Sequence, residues 1–347
     1  MEKRRLGRTD LEVPALCLGT MMFGDQISEA DGFAQMDACL DRGINFFDTA
    51  ELYTVPPKPE TQGESERIVG RWMAAKKNRG EMIIATKVTG RSPMKWIRDG
   101  KETRLTREQI FQAVDRSLKN LQTDTIDLYQ LHWPERGLQN FGGIRMGYIH
   151  YEDKGVPFEE TLAALDELVK AGKIRHIGVS NESPYGVMSF LREAQTQDMP
   201  RIASIQNAFN LINRTFEGGL AEIALEEQVS LLAYSPIAQG ALTGKYLDGA
   251  LPKGSRGELF NRMSRYETPQ AEQAISGYVK LAEKFGVHAA ALAMQFVATR
   301  PFTTSTIFGA HGMDQLEIIF SSLDMKWTDE MERAVNQLHG AIQNPCP

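Results

Sequence analysis

Cysteine is scarce. Cys17, Cys39 and Cys346 are the only three in 347 residues, and no two stand in a CxxC spacing. That argues against a disulfide framework and a cysteine-based zinc site, and it fits a reducing, cytoplasmic setting. The six histidines are scattered without an HxH or HExxH, so no metal set is visible. No apolar run reaches the ~18 residues of a transmembrane helix. The opening Met-Glu-Lys-Arg-Arg-Leu-Gly-Arg lacks the apolar region of a signal peptide. An excess of one charge is missing too. The 45 acids against 39 bases give a net charge of -6, which speaks against nucleic acid as the main partner.

What is present is a globular composition, 42% hydrophobic and 24% charged. The length suits one large α/β domain or two ordinary ones, and no composition break divides it, so a single domain over 1–347 is expected. Residues 2–13 read as a small hairpin around Gly-Arg-Thr-Asp. After it, short apolar runs alternate with amphipathic stretches. Expected strands are Ala15–Leu18, Ile44–Phe47, Met82–Thr86, Ile126–Leu131, Ile174–Val179, Ile202–Ile205, Ser230–Ala233 and Thr304–Phe308. Helical periodicity follows each one, for instance Ile110, Val114, Leu118 and Leu121 within Thr106–Leu121, and the unbroken stretch Arg214–Glu226. Ser28 is placed to cap the first helix and Gly172 to end the one over Phe158–Ala171. Extra helices fall near the C-terminus.

Eight β-α units in a chain of this size imply a (β/α)₈ TIM barrel. The runner-up, an open doubly wound sheet, would place Gly-x-Gly-x-x-Gly after the first strand. Gly-Thr-Met-Met-Phe-Gly stands there instead.

In such a barrel the active site lies at the C-terminal ends of the strands. Those ends are Gly19/Thr20, Asp48, Lys87, His132, Ser180/Asn181, Gln206/Asn207, Tyr234/Ser235 and Gly309. A lone aspartate or lysine at a strand end is ordinarily a turn or a solvated residue. Here three ionisable groups end three consecutive strands, and Tyr53 follows the first. A phenol has a free pKa of ~10. A neighbouring ammonium lowers it, and a carboxylate holds that ammonium charged. Such a set can protonate a developing alkoxide, as carbonyl reduction requires.

The motifs Gly-Ile-Asn-Phe-Phe-Asp-Thr-Ala-Glu-Leu-Tyr (43–53), Asp-Leu-Tyr-Gln-Leu-His-Trp (127–133), Gly-Lys-Ile-Arg-His-Ile-Gly-Val-Ser-Asn (172–181) and Ala-Tyr-Ser-Pro (233–236) resemble those of the aldo-keto reductases. The resemblance runs over nearly the whole chain and extends more distantly to the potassium-channel β subunits. It implies a barrel enzyme that uses NADPH, with Asp48, Tyr53, Lys87 and His132 as the catalytic tetrad. Tyr53 would be the proton donor and Lys87 would lower its pKa. Asp48 would pair with Lys87, and His132 would orient the carbonyl oxygen. Substrate contacts would come from Tyr53, His132 and Trp133.

The resemblance also implies a cofactor site. The nicotinamide carboxamide would meet Ser180, Asn181 and Gln206, and its ring would stack on Tyr234. Gly19, Thr20, Met21 and Asp48 would border it. Pyrophosphate and ribose would lie along Ser235, Pro236, Ala238, Gly240, Leu242, Gly244 and Lys245. Lys245 and Arg256 would take the adenosine 2′-phosphate, and Gly309 and Gln315 would border the adenine end. Ile318 and Ile319 stand where the family usually has Glu and Asn, so a weaker adenine end is expected. Gly240–Tyr246 only superficially resembles a P-loop, having three residues between the glycines and no Ser or Thr after the lysine.

Two functions compete. One is an NADPH-dependent carbonyl reductase. The other is an NADP(H)-binding regulatory or redox-sensing module with vestigial activity. Substrate choice should rest with Thr54–Gln62, Thr89–Thr103, Trp133–Pro157 and the C-terminal segment, since loops vary most. Phe23, Trp96, Trp133 and Phe141 are candidate pocket walls. A small carbonyl compound is the expected partner, without a membrane or metal, and homo-oligomerisation is left open.

Overall fold

A computed structural model of the chain describes residues 1–139, 147–153, 155–261 and 263–346. A two-stranded hairpin, β1 (Lys3–Arg5) and β2 (Glu12–Pro14), precedes a closed parallel barrel. The barrel strands are β3 (Leu16–Gly19), β4 (Phe46–Asp48), β5 (Ile83–Val88), β6 (Ile126–Leu131), β7 (Ile174–Ser180), β8 (Ile202–Ala208), β9 (Ser230–Tyr234) and β10 (Thr303–Phe308). They pair in chain order, and β10 returns to β3, which closes the sheet without an edge. The outer layer contains α1 (Glu29–Asp41), α2 (Glu64–Lys76), α3 (Arg107–Leu121), α4 (Phe158–Lys170), α5 (Pro184–Thr196), α6 (Leu220–Glu226), α7 (Arg256–Phe260), α8 (Pro269–Lys284), α9 (Ala289–Ala298), α10 (Met313–Asp324) and α11 (Asp329–Ala341). This is the (β/α)₈ barrel read from the alternation. Among the described residues no helix is long and apolar enough to cross a membrane.

Local signals explain the boundaries. Ser28, Thr106, Ser183, Thr268 and Thr328 each cap a helix by accepting a backbone N–H three residues on. Gly172 follows α4 with φ 72°, a left-handed turn that glycine adopts without strain. The helix expected over Arg214–Glu226 is divided. A 3₁₀ turn at Thr215–Glu217 precedes α6, because Gly219 takes φ 115° and ends the first turn. Most strand ends lie one to three residues from the expected ones, and β4 begins two residues late, so Asp48 closes it.

Alternation along the strands separates two cores. Ile84, Val88, Phe47 and Ile205 face the helices. Phe46, Ile83, Ala85, Leu128, Leu232 and Ile307 point inward, where Leu6, Leu11 and Val13 of the hairpin region join them. The hairpin therefore plugs the N-terminal end of the barrel. The same inward parity, carried one step further up the strands, presents Asp48, Lys87, Gln130 and Gln206 to the interior of the opposite end. The apolar floor and the polar mouth are thus one alternation pattern.

Candidate active site

Lys87 is fully buried, so its ammonium requires compensation. It donates to Asp48 Oδ2 at 2.6 Å and to the Thr49 carbonyl at 2.8 Å. Burial works against its charge, but Asp48 and Tyr53 together outweigh burial and raise its pKa. The other oxygen of Asp48 accepts from Gln130 Nε2 at 3.1 Å and Gln206 Nε2 at 2.8 Å. The carboxylate is held from three other strands, which leaves the ammonium little freedom.

Beyond Asp48 the chain stays in register with β5. Thr49 N–H reaches the Ala85 carbonyl and Glu51 N–H the Lys87 carbonyl, at 2.9 and 3.2 Å. That run carries Tyr53 back over Lys87. The ammonium lies 3.4 Å from the Tyr53 hydroxyl and 4.8 Å from its ring centre. His132 packs edge-on to Tyr53, ring centres 5.5 Å apart, and against Trp133 at 4.9 Å. The structure therefore brings Asp48, Tyr53, Lys87 and His132 together.

Electrostatics adds a second influence to the expected one. Lys87 does pull the Tyr53 pKa down, but burial pushes it up more strongly, Asp48 adds to that, and the net shift is upward. The phenol is held in its protonated form. His132 goes the other way. Burial, then the Lys87 charge, put its pKa well below that of a free histidine, so the ring is neutral. Its Nδ1 is buried without a partner among the described residues.

A set of buried ion pairs surrounds this cluster, and sequence reading did not find it. Glu51, inside the motif that ends at Tyr53, is bound by both guanidinium nitrogens of Arg98 at 2.7 and 2.8 Å. Neither side chain is more than 1% exposed. Glu51 also accepts the Thr89 N–H at 2.6 Å. Arg104 pairs with Glu135, which takes the Leu105 N–H at 2.8 Å. Arg136 binds Glu182 through two bonds of 2.9 and 2.5 Å. The Asn207 side chain bonds the Glu182 backbone on both sides, at 3.2 and 3.0 Å. Each loop from β4 to β8 is thereby tied to the next.

A cavity of about 580 Å³ opens over the cluster, within the range of small-molecule sites. Of the expected cofactor residues, Gly19, Met21, Asp48, Ser180, Asn181, Gln206, Tyr234, Ser235, Pro236, Gly240, Lys245, Arg256, Gly309 and Gln315 line it. Four do not. Thr20 is buried and bonds the Asp48 carbonyl and Ser65. Ala238 and Leu242 are turned into the apolar core, and Gly244 takes the left-handed turn beside Val279. Asn181 also sits at φ 53°, a conformation asparagine tolerates. Its side chain donates to the His132 carbonyl at 2.9 Å and accepts the Tyr234 hydroxyl at 2.7 Å. Burial, first of several causes, pushes the Tyr234 phenol up to about 12. Gln206 has spent its N–H groups on Asp48 and on Gln130, so its carbonyl oxygen is what it can offer a ligand.

Of the candidate walls among the described residues only Trp133 lines the cavity. Phe23 packs in the core against Gly32, Trp96 is exposed, and Phe141 lies outside the described residues. Met94 takes the place expected for Trp96, while Ile318, Ile319 and His311 line the cavity beyond Lys245 and Arg256. His311 was missed because attention in that motif fell on Gln315, whose side-chain oxygen accepts the His311 N–H at 3.1 Å. Among the described residues no group of histidine, cysteine or carboxylate side chains could hold a metal.

The donor set suits a dinucleotide. Side-chain amides and a hydroxyl, the groups that can pair with a carboxamide, stand near Tyr53, an aromatic face stands beside them, and three permanent cations, Lys245, Arg256 and Arg265, line the same cavity. Gly240 deepens the fit. A Cβ there would stand 2.9 Å from Lys245 Cε and 3.0 Å from Nζ and would push the end of that side chain aside, and the φ of 94° is one that glycine adopts without strain.

Comparison with known proteins agrees. Residues 15–339 match the sequence model described as the aldo/keto reductase family. Protein tas of Escherichia coli (strain K12) is 46% identical over the whole of both chains. An aldo-keto reductase of Babesia bovis is 40% identical over 76% of this chain and 98% of its own. A probable voltage-gated potassium channel subunit beta of Arabidopsis thaliana is 28% identical over 94% of this chain and 92% of its own.

Proposed function

The chain belongs to the aldo/keto reductase family of oxidoreductases, and on that premise we propose that it reduces an aldehyde or ketone to an alcohol with NADPH, Tyr53 giving the proton. On this reading residues 1–347 work as one catalytic domain. The observation that carries it is the Tyr53 hydroxyl, protonated, at the mouth of the barrel and 3.4 Å from a lysine that Asp48 holds charged.

Bound NADPH would supply the hydride. Ser180, Asn181 and Gln206 would hold its carboxamide beside Tyr234, and Lys245 and Arg256 its 2′-phosphate. The remaining work belongs to side chains. Neutral His132 orients the carbonyl oxygen by a hydrogen bond. Tyr53 passes its proton to that oxygen as negative charge grows on it. Lys87 stabilises the phenolate left behind, which is why its ammonium must be fixed and buried. Proton return from solvent resets the phenol. In the reverse direction the phenolate acts as base, so alcohol oxidation should rise with pH where reduction does not.

Tyr53→Phe tests the assignment. Loss of the acid should lower kcat for carbonyl reduction by about 10²–10⁴, while fluorescence titration shows NADPH still bound. Undiminished reduction would refute it. The similarity to a channel β subunit raises a second reading, cofactor sensing with little turnover. The complete tetrad weighs against that role. Tight NADPH binding with no oxidation across a panel of aldehydes, ketones, quinones and sugars would favour it.

A further inference from the structure

Besides His132, five basic side chains line one cavity, Lys245, Arg256, Arg265, His288 and His311; Arg265 bonds the Tyr234 and Tyr266 phenols and His288 caps α9, and the other three come from separate segments. Lys245 follows the turn at Gly244, Arg256 opens α7, and His311 lies between β10 and α10. Among the described residues the only carboxylate lining that cavity is Asp48, which Lys87 holds. The lining is thus suited to an anion.

His311 differs from its neighbours in kind. Lysine and arginine keep their charge across physiological pH, whereas an imidazole changes state there. The ring is half-buried, and burial, then Lys245, then Arg256 keep it neutral further into acid than a free histidine. Those two cations line the same cavity as the ring. The other charged groups about it are few. Asp314, in the first turn of α10, is exposed. Glu317, a turn further on, is engaged by Arg42 at 2.9 Å. His288, on the neighbouring α9, accepts the Ala290 N–H at 3.1 Å as a helix cap. The His311 backbone is fixed by Gln315, so the ring is presented from a rigid turn.

A phosphate monoester carries close to two negative charges near neutrality. Placed among these groups it would offset the repulsion from Lys245 and Arg256, which adds to burial in keeping the imidazole neutral, and would favour the charged ring. We propose that His311 is the titrating third member, with Lys245 and Arg256, of the seat for the adenosine 2′-phosphate of NADP(H), so that loading the cofactor takes up a proton. The inference rests on the NADP(H) reading above. Its sign is fixed. The imidazole pKa is higher with the phosphate present than without it, so affinity for NADP⁺ falls as pH rises between the two values. Affinity for NAD⁺, which lacks that phosphate, stays level.

Isothermal titration of the full-length protein tests this. NADP⁺ and NAD⁺ are each titrated into wild type and His311→Gln, in buffers of different ionisation enthalpy. Glutamine keeps a hydrogen-bond donor but cannot be charged, and matched melting curves check its fold. Wild type should take up roughly half a proton per NADP⁺ near pH 7, and none with NAD⁺. His311→Gln should take up none. It should bind NADP⁺ about tenfold more weakly than wild type near pH 6, and the two should converge above roughly pH 8. Equal uptake by the variant would overturn the role of His311, as would tight NADP⁺ binding with buffer-independent heat. Uptake with NAD⁺ that the variant loses would assign the ring to the pyrophosphate instead. Binding of neither dinucleotide would sink the NADP(H) reading and this proposal with it.

Discussion

The two halves of the barrel mouth are held in different ways. From β4 to β8 the loops are fastened through charge: Glu51 to Arg98, Arg104 to Glu135, Arg136 to Glu182. The connection from β9 to α8, residues 235–268, is shaped chiefly by its backbone. Its described residues form short turns and the brief helix α7, with left-handed residues including Ser235, Ala238, Gln239, Gly240, Gly244, Asp248 and Asn261. Its side-chain anchors include phenols: Tyr246 accepts the Gly257 N–H at 3.3 Å, and Arg265 bonds Tyr234 and Tyr266. The difference matches the two tasks. Proton transfer needs groups fixed to a fraction of an ångström. On the proposed reading a cofactor must enter and leave, and the half-buried Arg265 of this loop is held by two neutral phenols.

Removing one member of a mouth ion pair should produce the largest effect. Glu51→Gln strands a buried guanidinium, and Arg98→Met a buried carboxylate. Each should cost about 3–5 kcal/mol of stability in urea unfolding. The double variant should regain much of that, because no uncompensated charge remains. Single variants within ~0.5 kcal/mol of wild type would mean that water reaches the pair, and the distinction between the halves would fail there.

How much of this was legible follows from the range over which each signal acts. Asp48, Lys87 and His132 stand at the ends of apolar runs, and strand alternation is local, so the sequence shows both their parity and their level in the barrel. Tyr53 was legible by spacing, although the reason for the spacing, the register of Thr49 and Glu51 on β5, needs coordinates. The ion pairs were not legible. Their members lie 47, 31 and 46 residues apart on loops without periodicity, so each residue alone reads as a solvated charge. The pull of Lys87 on Tyr53 is as expected, but the net upward shift is not legible, because burial, which opposes Lys87, depends on packing around the whole mouth. The broken helix at Gly218–Gly219 is a different case. Its signal was present, but the apolar periodicity on either side was given more weight than the two glycines.

On the cofactor side the expected effect is smaller and of another kind. Lys245 is partly exposed and folds over Gly240 without serving as a buried counter-charge. Lys245→Met should leave urea stability within ~0.5 kcal/mol of wild type and weaken NADPH binding about tenfold, the worth of one charge-assisted contact. Stability loss on the scale expected for Glu51→Gln would show that this half is fastened through charge as well. Unchanged binding would remove Lys245 from the phosphate seat.

An ion pair at the opposite end of the barrel calibrates both halves. Arg300, just before β10, binds Glu332 through two bonds of 2.9 and 2.6 Å, and Trp327 and Asn336 also donate to that carboxylate. Arg300 first, and these donors with it, bring the Glu332 pKa down to about 2. A carboxylate whose pKa is depressed in the fold stabilises above its unfolded value of ~4.3. That contribution is lost as pH falls from there towards about 2. Glu332 is partly exposed, so solvent screening should keep the gain below ~1 kcal/mol. Glu332→Gln should therefore lie within that margin of wild type at pH 7, and the gap should narrow below pH ~4 and close near pH 2. A gap as large as that of Glu51→Gln would mean that bidentate geometry, with or without burial, is what makes these pairs costly to break.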